Sequence, residues 1–195
     1  MGLAEGWGNA AYRSRALQNV LTELNASVMV IGRESIEIFL SRYAMKETIM
    51  KTAIVYVSTH HGNTKKLVDA ISEKYDITVI DGIRDEDFDL NEFDRIGFAS
   101  GIAFGKFYPH MLKLMDEKLP EGKDVFFLYT CGFKTNRYCN AVRKIAEKKK
   151  ARILGEYGCL GYDTVGPFKL IGGIAKGHPD ETDIQKAVEF YAGLK

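Results

Sequence analysis

The stretch from Lys51 to Lys65 constrains the fold more than any other part of the chain. Its apolar run, Ala53 to Val57, predicts a strand that is buried on both faces of a sheet. Hydroxyl residues and one glycine follow, and apolar residues then recur at helical spacing from Leu67 to Tyr75. The pattern predicts a strand, a tight loop and a helix. Because the first amides of a helix are unpaired and lie at its positive dipole end, such a loop favours a phosphate group.

Strand and helix patterns alternate along the rest of the chain. Strands are predicted at 52–57, 77–80, 95–100, 124–130 and 152–160. Helices are predicted at 64–75, 108–118, 137–149 and 182–194. Continuously apolar strands are typical of parallel sheets with helices on both faces. The chain is therefore predicted to have an α/β fold, a doubly wound five-stranded parallel sheet in the order 2-1-3-4-5.

Residues 1–49 have a different character from the remainder of the chain. A helical stripe runs from Ala10 to Leu24, but no motif there carries chemistry. We predict a complete domain over 50–195, preceded by an N-terminal helical extension of uncertain role. Three interpretations of that extension are open: a docked helical element, a partner-binding arm, or residues upstream of a true start at Met50.

Composition excludes several classes of function. The formal net charge of the 195-residue chain is only +1, which gives no electrostatic reason to expect nucleic acid or an anionic membrane as a partner. No apolar run approaches the roughly 20 residues that a membrane-spanning helix needs. Cys131, Cys139 and Cys159 form no CxxC pair, and their odd number suggests a reducing, cytoplasmic location.

The loop after the first predicted strand does not fit the common nucleotide-binding motifs. It has only Gly62 where the dinucleotide fingerprint needs three glycines, and it lacks the GxxxxGK sequence of nucleoside-triphosphate loops. Ser58 and Thr59 stand where a phosphoacceptor receiver domain needs carboxylates. Small hydroxyls and backbone amides suit a monoester phosphate, although an ordinary strand-to-helix turn is an alternative.

The segment Ser58-Thr59-His60-His61-Gly62-Asn63-Thr64 resembles the flavodoxin phosphate loop, commonly written [ST]-x-T-G-x-T, with one extra histidine before the glycine. The resemblance spans about residues 51–195 and implies a non-covalently bound FMN. It implies that the phosphate is held by Ser58, Thr59, His60, Gly62, Asn63 and Thr64.

Two further loops should meet the first one, because ligands of such sheets bind where the strand order reverses. Both combine glycine with aromatic residues, which suits a flat ring, although each aromatic residue is alternatively a core residue. The resemblance implies that the flavin ring contacts Gly101, Ile102, Ala103, Phe104, Gly105, Lys106 and Phe107 in one loop and Cys131, Gly132 and Phe133 in the other. Trp7, the only tryptophan, lies outside this region, so the identity of the stacking residue stays open.

The resemblance implies electron transfer between a reductase and an acceptor, with redox proteins as partners. The alternative is an FMN-dependent oxidoreductase of a small acceptor of the quinone or protoporphyrinogen type. No catalytic acid or base is identifiable, and the oligomeric state is not predicted. A flavin-free interaction module is a third reading.

Two further motifs suggest alternative functions, a phosphatase and a metal site. Cys131 and Arg137 have the C-x5-R spacing of phosphotyrosine phosphatases, but no general acid accompanies them. His60 and His61, with His110 and His178, suggest a metal, but adjacent loop histidines point apart and no carboxylate completes a ligand set. No metal site is expected.

Overall fold

The computed structural model of the protein describes residues 50–85 and 87–194. The predictions for residues 1–49 lie outside this range. Six strands form the sheet: β1 Thr52–Val57, β2 Thr78–Asp81, β3 Arg95–Ala103, β4 Lys106–Phe107, β5 Asp124–Cys131 and β6 Arg152–Leu160. Their order is β2-β1-β3-β5-β6, all parallel, with β4 antiparallel to β3. The predicted five-stranded order is confirmed, and the short β4 is an addition to it.

Three α-helices lie between strands: α1 Asn63–Ser72, α2 Pro109–Lys118 and α3 Asn140–Lys148. A fourth, α4 Glu181–Ala192, follows β6. A 3₁₀-helix, Gly166–Ile171, lies between β6 and α4. All four predicted helices are present. The third begins at Asn140 rather than at Arg137, because the amide of Asn140 donates to the carbonyl of Arg137 in a turn that precedes the helix. None of the helices among the described residues is long and apolar enough to cross a membrane.

The sheet separates two hydrophobic cores, and β1 contributes to both in alternation. Ala53, Val55 and Val57 pack in the first core with apolar residues of α2 and α3, such as Met111 and Val142. Ile54 and Tyr56 pack in the second core with residues of α1 and α4, among them Leu67, Ile71, Ala187 and Tyr191. The period of two along the strand explains why every residue of β1 is buried.

The register of the sheet brings the carboxyl ends of the central strands together. Val57 of β1 pairs with Ser100 of β3, and Gly101 pairs with Thr130 of β5. Cys131 pairs in turn with Leu160 at the end of β6. The loops that follow these four strands therefore start side by side at one edge of the sheet.

Candidate functional site

A cavity of about 470 Å³ lies at this edge. Its volume falls in the range typical of small-molecule sites. The loops after β1, β3, β5 and β6 all contribute to it. The lining consists of Ser58, Thr59, His60, Asn63, Thr64, Gly101, Ile102, Ala103, Phe104, Tyr108, Thr130, Cys131, Gly132, Gly161, Tyr162, Asp163, Val165, Gly166, Pro167 and Phe168.

One end of the cavity is formed by the start of α1. The N-cap residue, Gly62, has a φ of 64°, a left-handed conformation that favours glycine. This N-cap residue has no side chain that could cap the helix, and the first turn contains no acidic residue. Asn63 and Thr64 of that turn line the cavity. The positive end of the helix is thus left without an internal anion, which favours an anionic ligand there.

Hydroxyl groups surround this helix start. The Ser58 Oγ accepts a hydrogen bond from the Lys65 amide at 3.4 Å. The Thr64 and Thr130 hydroxyls are 2.9 Å apart and buried, which joins the loop after β1 to the end of β5. Thr59 Oγ1 lies 3.2 Å from the His60 Nδ1. Small donors of this kind suit phosphate oxygens.

Asn63 has an unused acceptor at the same place. Its Nδ2 donates to the Tyr162 carbonyl at 2.8 Å, whereas its buried Oδ1 has no hydrogen-bond partner among the described residues. A buried polar atom normally finds a partner. Because Asn63 lines the cavity, a hydroxyl or N–H group of a ligand would satisfy this oxygen.

The extra histidine of the loop, His61, does not line the cavity. It has a φ of 54°, and its ring stacks on Tyr162 with 4.5 Å between the ring centroids. Its Nε2 lies 2.9 Å from the Thr164 hydroxyl. His61 and Asn63 therefore both connect the loop after β1 to the loop after β6. The histidine that departs from the flavodoxin pattern thus has a structural role.

Two glycines leave no room for a side chain at the cavity wall. A Cβ at Gly132 would lie 2.8 Å from Ile174 Cδ1 and 2.9 Å from the Asp163 carboxylate. A Cβ at Gly161 would lie 3.0 Å from both Asn63 Nδ2 and Thr130 Cβ. At these positions the lining consists of backbone, which gives a flat ligand access to amide and carbonyl groups.

The structure brings most of the predicted binding residues to the cavity. Those that line it are Ser58, Thr59, His60, Asn63, Thr64, Gly101, Ile102, Ala103, Phe104, Cys131 and Gly132. Five others do not: Gly62, Gly105, Lys106, Phe107 and Phe133. Phe107 is fully buried in the first core, as the core-residue alternative predicts, while Phe133 is 60% exposed and packs on Phe168 at 5.6 Å between centroids.

The loop after β6 belongs to the site, although its residues are not among the predicted binding residues. Its residues from Gly161 to Phe168 contribute a large share of the lining, together with Tyr108 and Thr130. The segment from Gly158 to Gly177 is rich in glycine and contains Pro167, a composition typical of loops that approach a ligand. That signal was present in the sequence, but the contact depends on how the loop folds back over the cavity.

The geometry argues against a phosphatase at Cys131. A catalytic cysteine needs a lowered pKa, because the thiolate is the nucleophile. Burial instead raises the pKa of Cys131 to about 11, and its Sγ donates to the Cys159 carbonyl at 3.4 Å. Arg137 is exposed and does not line the cavity.

The histidines are engaged in separate contacts. His110 Nε2 donates to the Gly82 carbonyl at 2.6 Å, and His178 Nδ1 donates to the Asp183 carboxylate at 2.5 Å. His178, Asp180 and Asp183 lie close enough together to hold a metal. However, Asp180 and Asp183 form the capping box of α4, which accounts for the position of both carboxylates.

The protein has a doubly wound sheet, a hydroxyl-rich loop after the first strand and a cavity at the edge of the sheet. Together these features define an α/β protein whose ligand site lies at the switch point of the strand order. Residues 54–162 match the family model described as a flavodoxin domain. An uncharacterized protein of Methanocaldococcus jannaschii is 40% identical over 145 residues, which cover 72% of this chain and 95% of the relative. The chain belongs to the flavodoxin-domain family.

Solved structures share the fold at lower identity. A flavodoxin from the domain Archaea is 22% identical, with a TM-score of 0.54 and coverage of 72% of this chain and 93% of that chain. The apo form of the NADH:FMN oxidoreductase EMOB is 13% identical, with a TM-score of 0.51 and coverage of 75% and 90%. RosB, solved with 8-demethyl-8-formylriboflavin-5'-phosphate, is 15% identical, with a TM-score of 0.51 and coverage of 72% and 75%.

Proposed function

We propose that this chain binds FMN non-covalently in the edge cavity and transfers electrons between a reductase and an acceptor. One observation carries the proposal: a helix start without a carboxylate, surrounded by hydroxyls, opens into the same cavity as two glycine-containing loops with aromatic residues. The first feature suits a phosphate and the second suits a flat ring. FMN has both groups.

The residues present fit the phosphate end of this cofactor. Ser58, Thr59 and Thr64 supply hydroxyls, and the first turn of α1 contains no carboxylate. The Asn63 amide donates to the His60 carbonyl and the Lys65 amide to the Ser58 Oγ, so the Thr64 amide is the first-turn donor that we assign to the phosphate. His60 and Asn63 complete this part of the lining. The free Asn63 Oδ1 is an acceptor, so it suits a hydroxyl of the ribityl chain better than a phosphate oxygen.

The opposite end fits the ring. Phe104 and Phe168 supply aromatic surface, and Gly101, Gly132 and Gly161 expose backbone. When bound, FMN supplies one- and two-electron chemistry, and the protein tunes it through the groups around the ring. This chain would orient the ring, exclude water from part of it and place backbone groups near its edge.

The phosphate requirement provides the primary test. Purified full-length protein is titrated with FMN and with riboflavin, which lacks the phosphate, and flavin fluorescence is recorded. We expect FMN to bind more tightly than riboflavin. In the double variant Ser58→Ala/Thr59→Val the affinity for FMN should fall at least about tenfold, because hydrogen bonds to a charged group are lost, with riboflavin affinity nearly unchanged.

The control is Thr182→Val, which alters an exposed threonine of α4 far along the chain from the loop. It should bind both flavins as the wild type does. Equal affinity of the wild type for FMN and riboflavin, or no binding of either, would contradict the proposal.

Turnover distinguishes the carrier from the alternative oxidoreductase. The FMN-loaded protein is mixed with NADH or NADPH and a soluble quinone, and nicotinamide absorbance is followed. A carrier should consume nicotinamide only when a separate reductase is added. Rapid consumption without a reductase would favour the FMN-dependent oxidoreductase instead.

A further inference from the structure

An apolar surface is formed by exposed side chains of the loops that line the cavity. We call it the apolar collar; its members are Phe104, Phe133, Val165, Leu170 and Ile171. Phe104 is 99% exposed and Leu170 is 89% exposed. Phe104 and Val165 line the cavity, Phe133 packs on Phe168 of the lining, and Leu170 and Ile171 belong to the same 3₁₀-helix as Phe168. Exposed apolar side chains gathered in one place are typical of an interaction site.

A ligand inside the cavity does not account for this exposure. Phe133, Leu170 and Ile171 are not part of the lining, so they stay exposed to solvent when the cavity is filled. A small substrate would be recognised inside a concave site. Protruding apolar side chains outside the cavity instead suit the surface of another protein.

The loops that carry the collar are positively charged. The segments 101–108, 132–139 and 161–180 contain two carboxylates. Asp163 lies beside Gly132 and accepts from the Val165 amide at 2.8 Å, and the exposed Asp180 caps α4. Their cations, which we call the rim cations, are all exposed. They are Lys106, Lys134, Arg137, Lys169 and Lys176.

Within the described part of the chain, no rim cation forms an ion pair. Elsewhere many cations are paired, as in Lys148 with Asp116 and Arg152 with Asp124. The net charge of the whole chain is only +1, so the acidic residues that balance the rim cations lie elsewhere. Asp81 ends β2, on the other side of β1, and Asp85 follows that strand. Asp81 accepts from the Tyr56 hydroxyl, and Asp85 accepts from the Asp81 amide.

We propose that the apolar collar and the rim cations form the docking surface for an acidic redox protein. The identification of the partner as a redox protein rests on the proposed function, whereas the docking surface itself does not. Apolar contact at the centre with complementary charge around it gives both adhesion and orientation. Because the rim cations are unpaired, they favour a partner that presents carboxylates around its own redox centre.

Nuclear magnetic resonance tests the surface directly. Uniformly ¹⁵N-labelled full-length protein, with and without added FMN, is titrated with an acidic plant-type ferredoxin and, separately, with a basic cytochrome c. We expect the ferredoxin to perturb amide signals of the collar residues and their neighbours at about 0.02 M salt, with the effect weakened at about 0.3 M. The cytochrome should not perturb them.

Charge reversal supplies matched variants. The double variant Lys134→Glu/Lys169→Glu should weaken ferredoxin binding at least about tenfold, because two attractive charges become repulsive. The control is Lys144→Glu/Lys186→Glu, on α3 and α4, which changes two exposed lysines that form no ion pair in the described residues. The control should bind almost as the wild type does.

Three results would overturn the inference. They are absence of collar perturbation by ferredoxin, equal perturbation by cytochrome c, and equal loss of binding in both double variants. Ferricyanide that perturbs the collar when ferredoxin does not would indicate a small anionic acceptor instead. Because the titration without FMN does not depend on flavin binding, its outcome is independent of the flavin titration.

Discussion

At the scale of single residues, Asn63 links three features of the site. It opens α1, lines the cavity and donates to the Tyr162 carbonyl in the loop after β6. Its side chain is buried, so its amide was placed by the packing of two distant loops rather than by helix capping. A residue with only a local capping role would not connect segments 99 positions apart.

Replacing Asn63 with alanine should therefore affect both stability and ligand binding. Loss of the bond to Tyr162 leaves a carbonyl without its donor, and we expect the free energy of unfolding to fall by about 1 kcal/mol. FMN affinity should also fall, which fluorescence titration measures. Asn140→Ala, at an exposed position in α3, is the control. Unchanged FMN affinity in Asn63→Ala would contradict the role assigned to this side chain.

The buried thiols predict sensitivity to alkaline pH. Burial raises the pKa of Cys131 from 9.0 to about 11 and is the main cause that raises the pKa of Cys159 to about 12. The folded protein therefore holds these protons more tightly than the unfolded chain. Their contribution to stability is complete below pH 9 and is lost as the pH rises through these folded pKa values, at up to about 1.4 kcal/mol per pH unit for each thiol.

Urea unfolding measured from neutral to strongly alkaline pH checks this expectation. The free energy of unfolding should decline above pH 9 in the wild type, and the decline should be shallower in Cys131→Ala. Comparison of slopes removes the constant cost of the cavity that the substitution creates. Identical slopes in both proteins would show that the thiol does not titrate with unfolding.

At the scale of elements, the sheet is shaped by a glycine in β3. Gly97 lies between Ile54 of β1 and Phe126 of β5 in the register. A Cβ added to Gly97 would overlap the Phe126 ring and lie 3.0 Å from Ile54. The aromatic side chain thus occupies the space that the missing side chain leaves.

Gly97→Ala should destabilise the fold by about 1–3 kcal/mol through overpacking of the second core. Urea unfolding is the measurement. Gly193→Ala is a matched control, because its φ is −82° and its added Cβ would meet only ordinary contacts, the nearest at 3.5 Å. A cost in Gly97→Ala no larger than in Gly193→Ala would show that the ring can move aside.

The two long helices on the second face start in opposite ways. α4 has a complete capping box, in which Asp180 accepts from the Asp183 amide at 2.8 Å. The N-cap residue of α1 is a glycine, and no carboxylate lies in the first turn of that helix. This contrast fits a structural start for α4 and a ligand-binding start for α1.

Asp180→Ala should lower the free energy of unfolding by about 1 kcal/mol, since it removes the cap of α4. FMN affinity should be unaffected, because Asp180 does not line the cavity. Unfolding in urea and flavin titration separate the two effects, with exposed Thr182→Ala as the control. A stability equal to that of the control would mean that the cap contributes nothing.

At the scale of the whole molecule, the described residues that line the cavity all lie between Ser58 and Phe168. Within 50–85 and 87–194, the first strand begins at Thr52, and the described residues of both cores follow that point. The prediction of a complete domain over 50–195 therefore has a direct consequence for a shortened chain.

A chain that begins at Met50 should fold cooperatively and bind FMN with an affinity within about twofold of the full-length protein. Circular dichroism with urea and flavin titration provide the measurements. The wild-type full chain is the reference. Failure of the shortened chain to fold, or a large loss of affinity, would contradict the predicted domain boundary.

The order of the strands, the helices and most of the cavity lining were predictable, because each depends on local patterns. Buried strands show continuous apolar runs, helices repeat their apolar positions every three to four residues, and ligand loops follow strand ends. The fate of individual aromatic residues was not predictable. Phe104, in the turn after β3, and Phe107, in β4, lie three positions apart, yet Phe107 is fully buried and Phe104 is 99% exposed.

The sequence by itself determined the class of fold and the position of the phosphate loop, since both follow from hydrophobic periodicity and small residues at a strand end. Only the tertiary structure decided that the loop after β6 closes the cavity through His61 and Asn63. It also decided that the apolar collar is exposed, on the same loops that carry the rim cations. Such groupings depend on which loops the sheet register brings side by side. These loops are far apart in sequence, so no local pattern encodes the contacts between them.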